Sequence, residues 1–372
     1  MAGVPLKDKF KGCIAGSWIG SAMGAPVEGW TPERIQREHG LLDELLPYVH
    51  YPDRTPARWY RPPGTTEDGI ERQRLLATAI IEKSDRILAR DLVAVWLRDI
   101  TPERAVFKQE EYDLALLELA RAGVPAEVLG QMRGLVGNVG AARSSHPVGL
   151  INAGDPRSAA DDVFEVGQVY FPRSSPALRW AAIYCAAIAE ACKSDATVES
   201  VIETAQEFAL YRAEKGRLFA GYDRISSELA RAVKIAQESE DMLQLRGMFY
   251  EHYHGGEFMT YGASQANEVV CKGLAVFMHT KGSVKDSIVA SVNFGRDTDC
   301  LAAIAGGLAG TLSGTAEIPS RWISQVDKAT EDDNYTNTIR SIADTAEGLY
   351  DAFASRIARL QAYTQMMKPD VT

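Results

Sequence analysis

Gly295-Arg296-Asp297-Thr298-Asp299-Cys300 lies between two apolar segments. Residues 287–294 read as the end of a helix, and residues 301–312 are almost wholly Ala, Gly, Leu and Ile. Two carboxylates are thus wedged between stretches that look buried. An ionised carboxylate in the interior costs several kcal/mol unless it is paired, hydrogen-bonded or bound to metal. Asp297 and Asp299 therefore read either as cation ligands or as caps on the free N–H groups at a helix start.

Residues 10–23 are apolar, with Gly12, Gly16, Gly20 and Gly24 at every fourth position. On a helix this places four glycines near one face. Each costs about 0.5–1 kcal/mol against Ala, which calls for a compensating close contact. The small-residue run 302–310 is the natural partner, so the first helix is expected to pack on the helix after Asp299. It breaks at Pro26 and delivers Glu28 into a loop. Residues 40–65, rich in Pro, Tyr, Arg and Asp, read as a long loop, and Arg54–Arg61 within it as a phosphate reader or a solvated face. Thr65 and Asp68 have capping-box spacing. Apolar positions at helical spacing predict helices to about residue 83 and then over 91–99, 102–107, 110–122, 126–134, 158–169, 175–193, 198–213, 224–238, 241–250, 267–279, 283–294 and 333–365. Residues 137–143 read as a small-residue turn. No run of alternating strands, repeat or linker is evident. The expectation is an all-α protein, a single domain over 1–372 with its core at about 8–325 and a C-terminal helix at about 333–365.

Bulk properties narrow the function. The 372 residues are 46% hydrophobic and 24% charged, with a net charge of −10. That charge argues against a nucleic-acid binder, which needs a basic stripe. No apolar run reaches the roughly 18 residues of a membrane span, and residues 1–11 are too charged for a signal segment. Five scattered cysteines without a CxxC pair suggest reduced thiols and a cytoplasmic setting. Other chemistries are thinly supported. Ser144 and Ser145 beside His146 are neighbours without an elbow motif, and His252 and His254 fit a solvated loop. Cys300 is either a small core residue or a thiol of lowered pKa.

Taken in order, four blocks resemble the ADP-ribosylglycohydrolase family, which includes the dinitrogenase-reductase-activating glycohydrolases. Residues 16–28 resemble GxxxGDAxGxPxE, and Thr66-Glu67-Asp68-Gly69 resembles TDDT. Residues 137–150 resemble GNGxAMR followed by PxGL. Residues 295–310, with Ile318-Pro319 and Trp322, resemble GGDTDTxAxxxGxxxG followed by IPxxW. The resemblance implies an all-α fold around a central Mg²⁺ or Mn²⁺ site of one or two ions. Its implied ligands are Thr66, Glu67, Asp68, Asp297 and Asp299. Glu28 would stand beside the metal, and Glu28, Glu67, Asp68 and Asp299 would serve the chemistry. Asn138, Gly140, Ala141 and Arg296 would line the substrate cleft. Hard oxygen donors suit these ions. The implied reaction is hydrolysis of an ADP-ribosyl or related N- or O-ribosyl bond, on a small molecule or a modified protein.

The sequence departs from the pattern at Ser21, Glu67, Gly69, Arg296 and Cys300, and Tyr170-Phe171 replaces an expected Thr-His pair. These changes leave three possibilities: one metal in place of two, a small-molecule N-riboside as substrate, or ligand binding without catalysis.

Overall fold

The computed structural model describes residues 3–49, 59–104, 111–134, 136–212, 224–253 and 264–367. Its helices run, in chain order, α1 Leu6–Gly24, α2 Pro32–His39, α3 Asp68–Lys83, α4 Ala89–Asp99, α5 Glu111–Arg121, α6 Gly140–Ser144, α7 His146–Ile151 and α8 Pro156–Gly167. They continue with α9 Pro176–Ala191, α10 Val198–Ala209, α11 Arg224–Glu238, α12 Met242–Tyr253, α13 Ala266–His279, α14 Val284–Val292, α15 Thr298–Ser313, α16 Ser320–Glu331 and α17 Ile342–Met367. The all-α expectation holds. A two-stranded antiparallel ribbon, β1 Tyr48–Val49 with β2 Tyr60–Arg61, is the only sheet among the described residues. No helix among them is long and apolar enough to cross a membrane.

Helices α1 and α15 touch backbone to backbone. A Cβ added at Gly12 would come within 2.1 Å of the Gly310 carbonyl oxygen, at Gly16 within 2.1 Å of Gly306 O, and at Gly20 within 2.3 Å of Ala302 O. The last glycine, Gly24, lies over the start of α15, where a Cβ would stand 2.5 Å from Asp299 Cα. The glycine face thus packs where the sequence placed it. Almost all of α1 and α15 is buried as a result. The other helices wrap this pair, and one hydrophobic cluster runs from Phe10 through Trp180 to Ala352.

Local signals explain several starts. Thr31 caps α2, accepting from Arg34 N, and Asp155 caps α8, accepting from Ser158 N; proline follows each cap directly. Proline fits there because its missing N–H is one that would have no helical partner.

Several expectations need correction. The final helix begins at Ile342 and not near 333. Buried side chains of α3 hold the preceding segment in an irregular path: Glu71 accepts from Thr336 Oγ1 at 2.7 Å and Asn337 N at 3.0 Å, and Arg74 donates to the Thr338 and Arg340 carbonyls at 3.2 Å each. The 137–143 turn passes into two short helices, α6 and α7, and 126–132 is a 3₁₀ helix. Thr65 is no capping residue, since its hydroxyl donates to Pro62 O at 2.8 Å and the N-cap of α3 is Glu67, without a side-chain cap bond. His252 lies on α12 and not on a loop, whereas His254 falls outside the described residues.

The glycine ridge makes a two-sided prediction. Gly16→Ala drives a methyl into the α15 backbone and should destabilise by about 1–3 kcal/mol or more. Gly247→Ala, at an exposed position of α12 with nothing within 4 Å of the new Cβ, should stabilise by about 0.5–1 kcal/mol. Urea midpoints of the two variants read the opposite signs.

Candidate metal centre

Backbone bonds between distant segments bring the acidic blocks together. The turn Gly295-Arg296 has left-handed backbone at both residues (φ 81° and 65°). Gly29 N donates to Arg296 O at 2.7 Å and Arg296 N to Trp30 O at 2.8 Å. Thr298 Oγ1 donates to Gly24 O at 2.8 Å. These three bonds fix the Glu28 loop against the N-terminus of α15. Arg296 pays for its left-handed backbone with a firm side-chain anchor, as Glu268, itself buried, accepts Nε at 2.7 Å and Nη2 at 3.0 Å. Lys272 also pairs with Glu268. Arg296, assigned to the cleft by resemblance, is thus held by Glu268.

Asp297 is the N-cap residue of α15, yet its side chain makes no cap bond. Both of its carboxylate oxygens, and Oδ1 of Asp299, are buried without a hydrogen-bond partner. The two residues are 4% and 1% exposed. The helix-cap reading therefore fails, and the carboxylates have the donor chemistry and the unmet demand of a cation site. Ligand atoms of Asp297, Asp299 and Cys300 lie within 4.8 Å of one another.

The Thr66–Asp68 block faces this pole. Asp68 Oδ1 is 3.1 Å from Arg143 Nη1, and Asp299 Oδ2 is 2.5 Å from Arg143 Nη2. Thr66 and Glu67 are buried at the turn into α3. Tyr48 and Arg61, partners across the β1–β2 ribbon, both donate to Glu67 Oε1, Arg61 at 2.5 Å. Arg61 is buried, so this end of the basic loop is no solvated face.

The electrostatics report crowding of like charge. Burial holds Glu28 well above the ordinary glutamate range, and the charges of Asp299, Asp297 and Glu67 add to it while Arg143 opposes them. Glu28 nevertheless keeps part of its surface open to solvent. Asp299 is raised by burial first, with Arg143 pulling down and Asp297 pushing up. Burial also raises the Cys300 thiol, against the pull of Arg143, which favours the small-core-residue reading of this cysteine.

The middle block is placed beside the acids. Asn138 Oδ1 accepts from Gly140 N at 2.7 Å and so shapes the start of α6. A Cβ on Gly140 would meet Arg72 Nη1 at 2.6 Å. Ala141 is buried and lines a small apolar cavity with Leu76, Val148 and Leu178. Ser144 and Ser145 donate to main-chain carbonyls, and His146 is buried against Tyr184 and Ala303 O. They form no nucleophile–base pair. Sequence reasoning assigned no role to Arg143 or Tyr48, and it did not pair Arg61 with Glu67. For Arg143 a signal existed, because it closes a motif block, but nothing local to it points at Asp299.

Comparison with known proteins places the chain in a family. A family model described as ADP-ribosylglycohydrolase matches residues 3–359. The chain is 24% identical over 324 residues to YegU, an uncharacterised protein of Escherichia coli K12, covering 86% of this chain and 92% of that one. It is 23% identical over 339 residues to the ADP-ribosyl-(dinitrogen reductase) glycohydrolase of Rhodospirillum rubrum, covering 89% and 94%. A solved structure described as an ADP-ribosylglycohydrolase-related protein complex shares the fold, with a TM-score of 0.63 and 19% identity over 94% of this chain and 99% of that chain. With its fold, its acidic centre and a family match over nearly its whole length, this chain belongs to the ADP-ribosylglycohydrolase family.

Proposed function

We propose that this protein is a Mg²⁺- or Mn²⁺-dependent hydrolase of an ADP-ribosyl or related N- or O-ribosyl bond, carried on a small molecule or a modified protein. The observation that carries this reading is the set of unpartnered buried oxygens on Asp297 and Asp299, in a chain of this family. Asp297 and Asp299 would hold the ion, with Thr66, Glu67 and Asp68 facing them. A bound divalent ion supplies Lewis acidity and orientation for ribose hydroxyls and water.

The chain's own groups do the rest. Glu28, like Asp68, keeps part of its surface open to solvent, and its charge interacts with those of Asp297 and Asp299. In its ionised form it would contact the ribose and accept a proton from the attacking water. The C1″–N or C1″–O bond would break as the water oxygen bonds to C1″, and the departing N or O would take up the proton that the water gave to Glu28, leaving Glu28 ionised again. Tyr48 and Arg61 fix the rotamer of Glu67. Asn138 and Gly140 lie next to the Asp68–Arg72 pair, at the edge where a substrate would meet the acids. A ligand-binding role without turnover draws on the altered positions Ser21, Gly69 and Cys300.

Two measurements test the reading. Release of ADP-ribose or free base from a panel of ADP-ribosylated peptides, nucleosides and nucleotides should require Mg²⁺ or Mn²⁺ and stop with chelator. Asp297→Asn should lower kcat/KM by more than about a hundredfold, beyond the range usual for groups behind the ligands. Turnover that survives in Asp297→Asn counts against the metal role, and no turnover on any substrate favours the binding role.

Thermal unfolding gives an activity-free check. Mg²⁺ or Mn²⁺ at about 100 times its Kd should add about 2.7 kcal/mol of stability to the unaltered chain. Asp297→Asn should lose that gain. It should also melt higher than the unaltered chain in chelator, because it removes a buried charge that lacks a partner.

A further inference from the structure

The guanidinium of Arg143 stands inside the acidic centre. It lies 3.1 Å from Asp68 Oδ1 and 2.5 Å from Asp299 Oδ2, and Nη2 donates to Ser21 Oγ at 3.0 Å. One planar cation therefore bridges carboxylates from the two halves of the site, and it is almost wholly buried there.

The room it occupies comes from Gly69. A Cβ at that position would sit 2.2 Å from Arg143 Nε and 2.3 Å from Cδ. Any side chain at 69, including the threonine of the motif it resembles, would displace the guanidinium. Ser21 stands where the motif has an aspartate and meets Arg143 as a neutral acceptor. Arg72 adds a second cation 3.5 Å from Asp68. The opposite pole differs sharply. Asp297 has neither oxygen bonded, and Asp299 has Oδ1 unbonded. Directed N–H donors are thus already supplied between Asp68 and Asp299, whereas the Asp297 oxygens accept none. A guanidinium neutralises carboxylates through directed N–H bonds but offers no coordination position.

We propose that Arg143 is a tethered cation filling the seat between Asp68 and Asp299, so that the centre takes a single divalent ion, on the Asp297 side. This rests on the metal-dependent reading above and sharpens it. The motif departures at Ser21 and Gly69 then have one shared cause, since both accommodate the arginine.

Mn²⁺ titration of the metal-stripped full chain tests this, with bound ion counted by equilibrium dialysis and its nuclearity read by electron paramagnetic resonance. The unaltered chain should bind one Mn²⁺ with a mononuclear spectrum. Arg143→Met should bind two with an exchange-coupled spectrum. Gly69→Ala, which displaces the guanidinium while keeping every charge, should also admit a second ion and serves if Arg143→Met does not fold. Two ions on the unaltered chain overturn the tethered-cation proposal and leave the metal reading standing, whereas none overturns both. One ion on a folded Arg143→Met or Gly69→Ala chain also overturns the proposal.

Discussion

The contact on which the molecule depends is the meeting of two backbones, α1 and α15, along glycines and alanines. Side chains normally hold helix axes 8–10 Å apart, and here the facing positions carry almost none. Carbonyls of one helix lie where Cβ atoms of the other would be. This closeness has a chemical consequence at the end of the ridge. Gly24 covers Asp299, and Thr298 is tied to the Gly24 carbonyl. The two aspartates at the start of α15 are therefore roofed by α1 and withdrawn from bulk water. The same entry path of the chain carries Glu28 to their side.

Once carboxylates are held inside, the surroundings must supply positive charge, and the structure distributes it unevenly. Arg61 takes Glu67, while Arg72 and Arg143 take Asp68 and Asp299. Asp297 receives no hydrogen bond. Buried ionic groups are weak contributors to stability because desolvation offsets their attraction. A centre that concentrates so many of them at one cleft is better explained by what it binds. The same logic accounts for altered motif positions in pairs. Gly69 is matched to Arg143, and Arg296, which takes a glycine-like conformation, is matched to the buried Glu268.

Much of this was legible along the chain because it is written in local periodicity. Apolar residues at helical spacing marked most helices within a few residues of their ends, and glycines four apart announced a close-packed face. The Asp297–Asp299 pair stood out because charge was set in an apolar context. Other features were hidden because their partners are remote. The 333–341 segment looked helical until Glu71 and Arg74, more than 250 positions earlier, claimed its hydrogen bonds. Arg61 read as part of a phosphate reader or a solvated face because nothing nearby showed that Tyr48 and Glu67 enclose it.

By itself, then, the sequence determined the helical class, the partner of the first helix and the unusual apolar setting of Asp297 and Asp299, since spacing and residue type act over a few turns of chain. Tertiary structure alone decided which carboxylates are neutralised by arginine and which accept no hydrogen bond. That outcome turns on a few ångströms between Arg143, Asp68, Asp299 and the bare backbone of Gly69. Distances between segments so far apart in the chain are set by packing, and no local pattern encodes them.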